Sequence, residues 1–300
     1  MHLFGNKIVS SKMSLVSLRC AIFVMILCCS KYSMAQNLSE VESRVSYLLS
    51  QLAKSKSDVE MDSLSSRIRT LFLSCLNNSE IFDYPFSSLK MCTITSPDGK
   101  FRLLNWNQPL IDGTHKYYGF VLIRENAESY SWLELVHKPD RKGWQRNKYY
   151  THENWPGALY YEIIPMAKRG RGDSYVLLAW DGVDNLTNKK MVDVIQIRNE
   201  RIRFGGDVFE GEEGIGKRVI LEYSNGVSAS LKYYPKRDYI VFDHLSPRNP
   251  AMVGIFSDYG PDGSYDALKF EKGKWKMISN IEVSKFSEDN NQPYRDPAKK

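Results

Sequence analysis

Three aspartates, Asp258, Asp262 and Asp266, recur every fourth residue in the glycine-containing run DYGPDGSYD. Carboxylates gathered on one loop are what a hard cation such as calcium selects, since it takes roughly 6–8 oxygen ligands. The spacing is not that of an EF-hand, and Asp and Gly are also ordinary turn formers. Calcium at these three positions is the one cofactor the sequence raises, with a plain turn as the competing reading. Asp181 and Asp184, on either side of Gly182, admit the same pair of readings. Asp243, His244 and Ser246 supply the residue types of a charge-relay nucleophile. Adjacent strand residues point to opposite sides, however, and no G-x-S-x-G elbow is present, so acyl transfer is not indicated. His115, His137 and His152 are scattered, and none pairs with another at zinc-site spacing. No catalytic residue is assigned.

Aromatic side chains are denser than carboxylates. Trp144, Tyr149, Tyr150 and Trp155 lie within twelve residues, beside Gln145, Asn147, Glu153 and Asn154, in a segment that reads as a long connection. Flat rings next to amides and carboxylates can stack on and hydrogen-bond to a sugar or a peptide, and loops carried by a rigid sheet are where such groups act. These four aromatics are therefore the candidate ligand-binding set. The competing reading makes them the rim of a core with their polar ends wet. Glu153 would serve a glycosidase only with a second carboxylate across a cleft. Arg171-Gly172-Asp173 spells an adhesion tripeptide, which three residues do not establish.

Two kinds of element must position these groups. From 39 to 76 the pattern is helical: Ser39 and Glu42 have capping-box spacing, and Val41, Val45, Leu48, Leu49 and Leu52 fall on one side. A second start at Ser57 leads into Leu64, Ile68, Leu71, Phe72, Cys75 and Leu76. The polar link 54–57 makes the pair a helical hairpin, too small to stand alone and so expected to pack on the rest of the chain. After residue 77 the chain alternates strand-forming runs with turn chemistry, giving strands at 91–95, 101–106, 116–124, 131–136, 158–165, 174–180, 191–198, 217–223, 228–234, 239–244, 252–256, 265–270 and 274–278. The turns are 96–99, Asp181-Gly182, Asn225-Gly226, 235–238 and Lys272-Gly273, of which Asn-Gly is the strongest hairpin signal. Links this short favour antiparallel pairing over crossover helices. The expected fold is mainly β, an antiparallel sandwich or barrel-like sheet preceded by the helical hairpin. Its divisions are 1–35, 36–80 (hairpin), 81–285 (β-domain) and 286–300 (a polar, disordered tail).

The runs YPFSSLK (84–90), SPDGKFR (96–102), LAWDG (178–182), VFDHLSP (241–247) and YGPDGSYD (259–266) together resemble a group of exported, β-rich proteins of Bacteroidetes-type bacteria. The resemblance covers most of 84–280 and implies an exported β-protein; it brings no activity and no catalytic residue with it.

The opening segment fits that expectation. The apolar run 21–29 (AIFVMILCC) follows Lys7, Lys12 and Arg19 and precedes Ser33-Met34-Ala35, the order of a cleaved secretory leader. It is shorter than the roughly 20 residues a membrane-spanning helix needs. A mature chain from Gln36 has no span, and its place is the periplasm or outside the cell. Loss of 1–35 leaves 37 basic residues of 41 against 35 acidic, so the net charge drops from +6 to +2. A nearly neutral chain offers no basic face for nucleic acid. Of five cysteines only Cys75 and Cys92 remain, either a disulfide of the oxidising compartment or two buried thiols. The function that fits is a non-catalytic binding or interaction module of the cell envelope with a glycan or protein partner; an exported hydrolase of glycan or cell-wall material is the alternative.

Overall fold

The computed structural model describes residues 37–282 except Glu128, 141–142, 167–172 and 212–214. The leader, the tail 286–300 and two residues of the tripeptide, Arg171 and Gly172, lie outside the described residues. The helical stripe is buried as one face: α1 (Leu38–Leu52) buries Val41, Val45, Leu48 and Leu52, and α2 (Asp58–Cys75) buries Leu64, Ile68, Leu71 and Phe72. Both pack on the first sheet, sharing one core with Leu104, Trp106, Phe120 and Leu122. The hairpin and the β-structure thus belong to one compact unit from Leu38 onward.

The rest of that unit is mainly β, in three sheets. The first runs in sequence order, β1 (Cys92–Thr95), β2 (Phe101–Pro109), β3 (His115–Arg124) and β4 (Tyr130–Leu135). The second is ordered β5 (Tyr150–Thr151), β9 (Arg201–Phe204), β8 (Thr187–Arg198), β7 (Ser174–Gly182), β6 (Leu159–Pro165), and β11 (Val219–Ser224) pairs with the first half of β8. The third is β10 (Phe209–Glu210), β15 (Lys274–Ile278), β14 (Tyr259–Glu271), β13 (Tyr239–Pro247), β12 (Leu231–Tyr234). Strand pairing is antiparallel as expected, apart from the short β10–β15 pair.

The alternation of side chains explains how the sheets stack. On β3, Phe120 and Leu122 face the helices while Tyr117 and Val121 face the second sheet. On β7, Tyr175, Leu177 and Ala179 face the first sheet, and Val176 and Leu178 face the third. A strand buried on both sides has no polar side to alternate with, which is why 174–180 reads SYVLLAW. The order is helices, first sheet, second sheet, third sheet, sandwich packing repeated once more than the usual two layers.

Two sequence expectations are corrected. Residues 252–256 are not a strand: two 3-10 turns, Pro250–Met252 and Phe256–Asp258, flank Gly254 at φ +87°. Asn225-Gly226 does turn the chain, but β11 pairs with β8 and β12 with β13, so the turn passes the chain from the second sheet to the third instead of closing a hairpin.

The possible disulfide is corrected as well. Cys75 and Cys92 are both thiols. Cys75 lies in the core beneath the helices and Cys92 in the core on the opposite side of the first sheet, so the sheet itself separates them. Burial pushes the Cys75 thiol up to about 12, and a thiol so held is inert. The chain from Gln36 is therefore expected to melt at the same temperature with and without dithiothreitol. It should leave both thiols unlabelled by maleimide until denaturant is added; a reductant-dependent midpoint would show a bond.

Candidate functional site

The sequence candidates do not converge. Trp144, Tyr150 and Trp155 are at most 4 % exposed and belong to the core between the first and second sheets, so three of the four proposed ligand-binding aromatics are corrected to core. Their polar ends are dry: Trp144 Nε1 donates to Gly157 O at 2.8 Å, and Trp155 Nε1 donates to Tyr160 Oη at 2.9 Å. Tyr149 stays half-buried, donating its hydroxyl to Asp207, with the Arg203 and Lys217 cations over its ring. Glu153 is exposed on the 3-10 turn His152–Asn154, capped by Thr151.

Of the three aspartates of the calcium expectation, Asp262 and Asp266 flank the His244 ring, with Asp262 4.0 Å from its Nε2, while Asp258 stands apart. Asp258 accepts from the Asn249 amide and faces Arg248, and Asp262 caps its own turn by accepting from the Ser264 amide and hydroxyl. Asp266 pairs with His244 Nδ1 at 2.8 Å. No group of three or more His, Cys, Asp or Glu side chains among the described residues is disposed to hold a metal ion. His244 thus pairs with Asp266 rather than with Asp243, whose carboxylate accepts from the Ser230 amide.

What the fold does assemble is a two-armed cleft where the β2–β3 turn meets the β7–β8 turn. The larger arm encloses about 900 Å³, the smaller about 420 Å³, and Leu110 and His115 line both. Strand β3 builds the shared wall. His115 and Tyr117 are two apart and so point together toward the second sheet, while Lys116 between them turns to Asp62 of α2. Tyr117 bridges the layers: its hydroxyl donates to Asp181 Oδ1 and accepts from the Gly182 amide, both at 2.8 Å. His137 closes over it, accepting from the Tyr117 amide at 3.3 Å, with ring centroids 5.5 Å apart. His115 Nδ1 accepts from Asn107 Nδ2 at 2.8 Å, and its ring stands edge-on to Trp180.

Two glycines admit these rings. A Cβ on Gly182 would lie 2.5 Å from His115 Nε2, and one on Gly157 would lie 2.2 Å from the Tyr117 ring. Gly157 also has φ +96°, which side chains rarely adopt.

Burial sets the protonation states here. It depresses His115 to about 4 and also lowers His137, so both rings are neutral at pH 7. It lifts Asp181 to about 6 and Tyr117 far above the usual phenol range. Perturbed groups gathered in a cleft mark a functional site with a physical reason. Among the described residues, the charged side chains lining the larger arm have ion partners within the protein, Arg69 with Glu134, Lys116 with Asp62, Asp140 with Lys148 and Lys189 with Glu222, except Asp181, which holds the Tyr117 hydroxyl. In the smaller arm Asp184 accepts from the Leu186 and Thr187 amides, shaping the turn. A relay of amides follows: Asn188 Nδ2 donates to Asn225 Oδ1, Asn225 Nδ2 to Asn185 O, and Asn185 Nδ2 to Asp112 O.

Spacing in sequence conceals this site. His115 and His137 lie 22 positions apart, and Tyr117 and Asp181 are separated by 64. The strand read from the sequence, 116–124, begins one residue after His115, so the shared side of His115 and Tyr117 appears only once β3 is seen to start at His115. Comparison with known proteins found no matching family model, no matching curated protein and no matching solved structure.

Proposed function

We propose that this chain is an exported, non-catalytic binding module whose ligand is a neutral, hydroxyl-rich glycan segment seated in the two-armed cleft around His115. Export rests on the leader-like segment 1–35. The observation that carries the ligand class is that, among the described residues, every charged side chain along the larger arm except Asp181 is already ion-paired. A surface with its ions already matched gains little from a charged partner, and what it still presents is amide, imidazole and phenol edges. Each asparagine of the smaller arm uses only part of its hydrogen-bonding capacity within the protein, which fixes its orientation and leaves the rest for a ligand. Sugar hydroxyls both donate and accept and match such edges.

A glycan hydrolase fits less well. It needs two carboxylates working across the bond. Of those lining the larger arm, Glu134 is clasped by Arg69 and Asp140 by Lys148, which leaves Asp181 alone with the Tyr117 hydroxyl.

Titration calorimetry with neutral glucan, mannan and xylan oligomers is the test, with a uronate oligomer as the charged control. At least one neutral oligomer is expected to bind, the uronate more weakly, and Asn188→Ala is expected to weaken binding about tenfold, the worth of a lost hydrogen bond. If every oligomer stays unbound, or if Asn188→Ala binds as tightly as the parent, the glycan reading is wrong.

A further inference from the structure

Strands β13 and β14 pair well beyond their neighbours. β12 covers β13 only as far as Phe242, and β15 covers β14 only from Ala267, while the β13–β14 ladder continues to Pro247 and Tyr259. The result is a two-stranded arm that rests against β11 and ends in the tip 248–258, whose turn Phe256–Asp258 touches the same strand. Between Arg248 and Asp258 the tip has no charged residue. It exposes Val253 at 74 %, Ile255 at 47 % and Phe256 at 40 %, with Met252 half-buried beside them. Elsewhere the exposed large apolar side chains of the described residues stand singly along the chain.

The backbone of the tip is as notable as its side chains. The amides of Asn249, Ala251, Met252, Gly254 and Ile255 donate to Asp258 Oδ2, Asn249 Oδ1, Asn249 O, Tyr259 Oη and Met252 O, which fixes the shape of the loop with Val253, Ile255 and Phe256 exposed.

We propose that the tip 252–256 is a lipid-docking surface that seats in the interfacial layer of a bilayer. Three exposed side chains and Met252 fall short of the roughly 800 Å² per partner that a stable protein interface needs, which argues against a second copy of the chain. Shallow insertion of a few apolar side chains needs no such area and gives weak, reversible attachment. Below the tip, the amphipathic Tyr259 ring packs under Phe256 with centroids 5.1 Å apart, at the level of the headgroup layer. This inference stands apart from the cleft and its ligand.

Sedimentation with vesicles of phosphatidylcholine and phosphatidylglycerol at 3:1 tests it. Because the leader is itself apolar, the measurement uses the chain from Gln36, which retains the whole compact unit from Leu38. The parent is expected to pellet with lipid. The triple variant Val253→Ser, Ile255→Ser, Phe256→Ser should partition at least tenfold less while still unfolding in one cooperative transition, and Val253→Ser alone, at the most exposed of the three, should already weaken partitioning. Phe256→Trp should shift its added emission to shorter wavelength when vesicles are present. The proposal fails if the parent remains in the supernatant at millimolar lipid, if the triple variant pellets as the parent does, or if the triple variant instead abolishes a dimer of the parent.

Discussion

Arg218→Met is expected to cost roughly 3–5 kcal/mol of folding stability, the typical penalty for breaking a buried ion pair from one side. Arg218 and Asp193 are both fully buried, with Nε donating to Asp193 Oδ1 at 3.1 Å. Nη1 donates to the carbonyls of Gln145 and Lys148, and the guanidinium lies about 5 Å from the rings of Trp144 and Tyr150. One side chain thereby fastens β8 to the aromatic connection that closes the core between the first two sheets. Asp193 shares the parity of Met191 and Ile195, so it points into that core. Burial pushes its carboxyl up, and the Arg218 charge is the main force holding it down. Without Arg218 the chain must bury a bare carboxylate or protonate it, and two carbonyls lose their donor. For a domain of this size the loss lowers the melting point by about 10–15 °C. The double variant Arg218→Met, Asp193→Leu should recover more than half of the loss, because the unpaired charge leaves with its partner. Urea unfolding of the three proteins decides the matter; a double variant as unstable as the single one would place the cost in the lost carbonyl contacts instead.

The Arg218 site also shows where sequence reading reaches its limit. The helices were legible because a 3.6-residue stripe has one meaning when the opposite side is charged: Val41, Val45 and Leu48 are buried as the spacing requires. Turns were legible where residue type forces the backbone, as at Gly99 (φ +69°), Asp238 (φ +55°) and Gly273 (φ +82°). Pairing was less so. Asn225-Gly226 turns the chain whether or not the flanking strands meet, and only the competing affinity of β11 for β8 decides that they do not. The aromatic segment failed for a related reason. Trp144, Tyr150 and Trp155 would suit a binding loop, but composition does not reveal that a buried arginine from 60 to 75 residues downstream will sit on two of them. The cleft was hidden most completely, since its histidines and Asp181 come from three separate elements that meet only after the sheets have stacked.

Those cleft groups carry the second large effect, a pair of opposed pH dependences. His115 titrates at about 4 in the folded chain against an ordinary 6.5, so the unfolded chain binds its proton more readily. Its contribution is present above 6.5 and is lost as the pH falls toward 4, on the order of 2–3 kcal/mol. Asp181 titrates at about 6 against 3.8, so the folded chain is the better proton acceptor. Its contribution is present below 3.8 and is lost as the pH rises through 6, by a similar amount. Between 4 and 6 the two slopes oppose each other and the parent shows little net change from this pair. Single substitutions separate them. Asp181→Asn, which still accepts from the Tyr117 hydroxyl, should be more stable than the parent by on the order of 2–3 kcal/mol at pH 7.5, an advantage that disappears by pH 4. His115→Gln should instead gain on the parent as the pH falls below 6.5. Urea unfolding at pH 4, 5, 6 and 7.5 measures both, and a constant difference between Asp181→Asn and the parent across that range would refute the account of Asp181 by burial. The same titrations bear on ligand choice: above pH 6.5 both imidazoles are neutral, and with each Nδ1 already accepting within the protein, from Asn107 and from the Tyr117 amide, His115 Nε2 is left as a neutral donor. A cleft tuned that way suits hydroxyl groups better than ions, and glycan affinity is expected to stay level from pH 6.5 to 8.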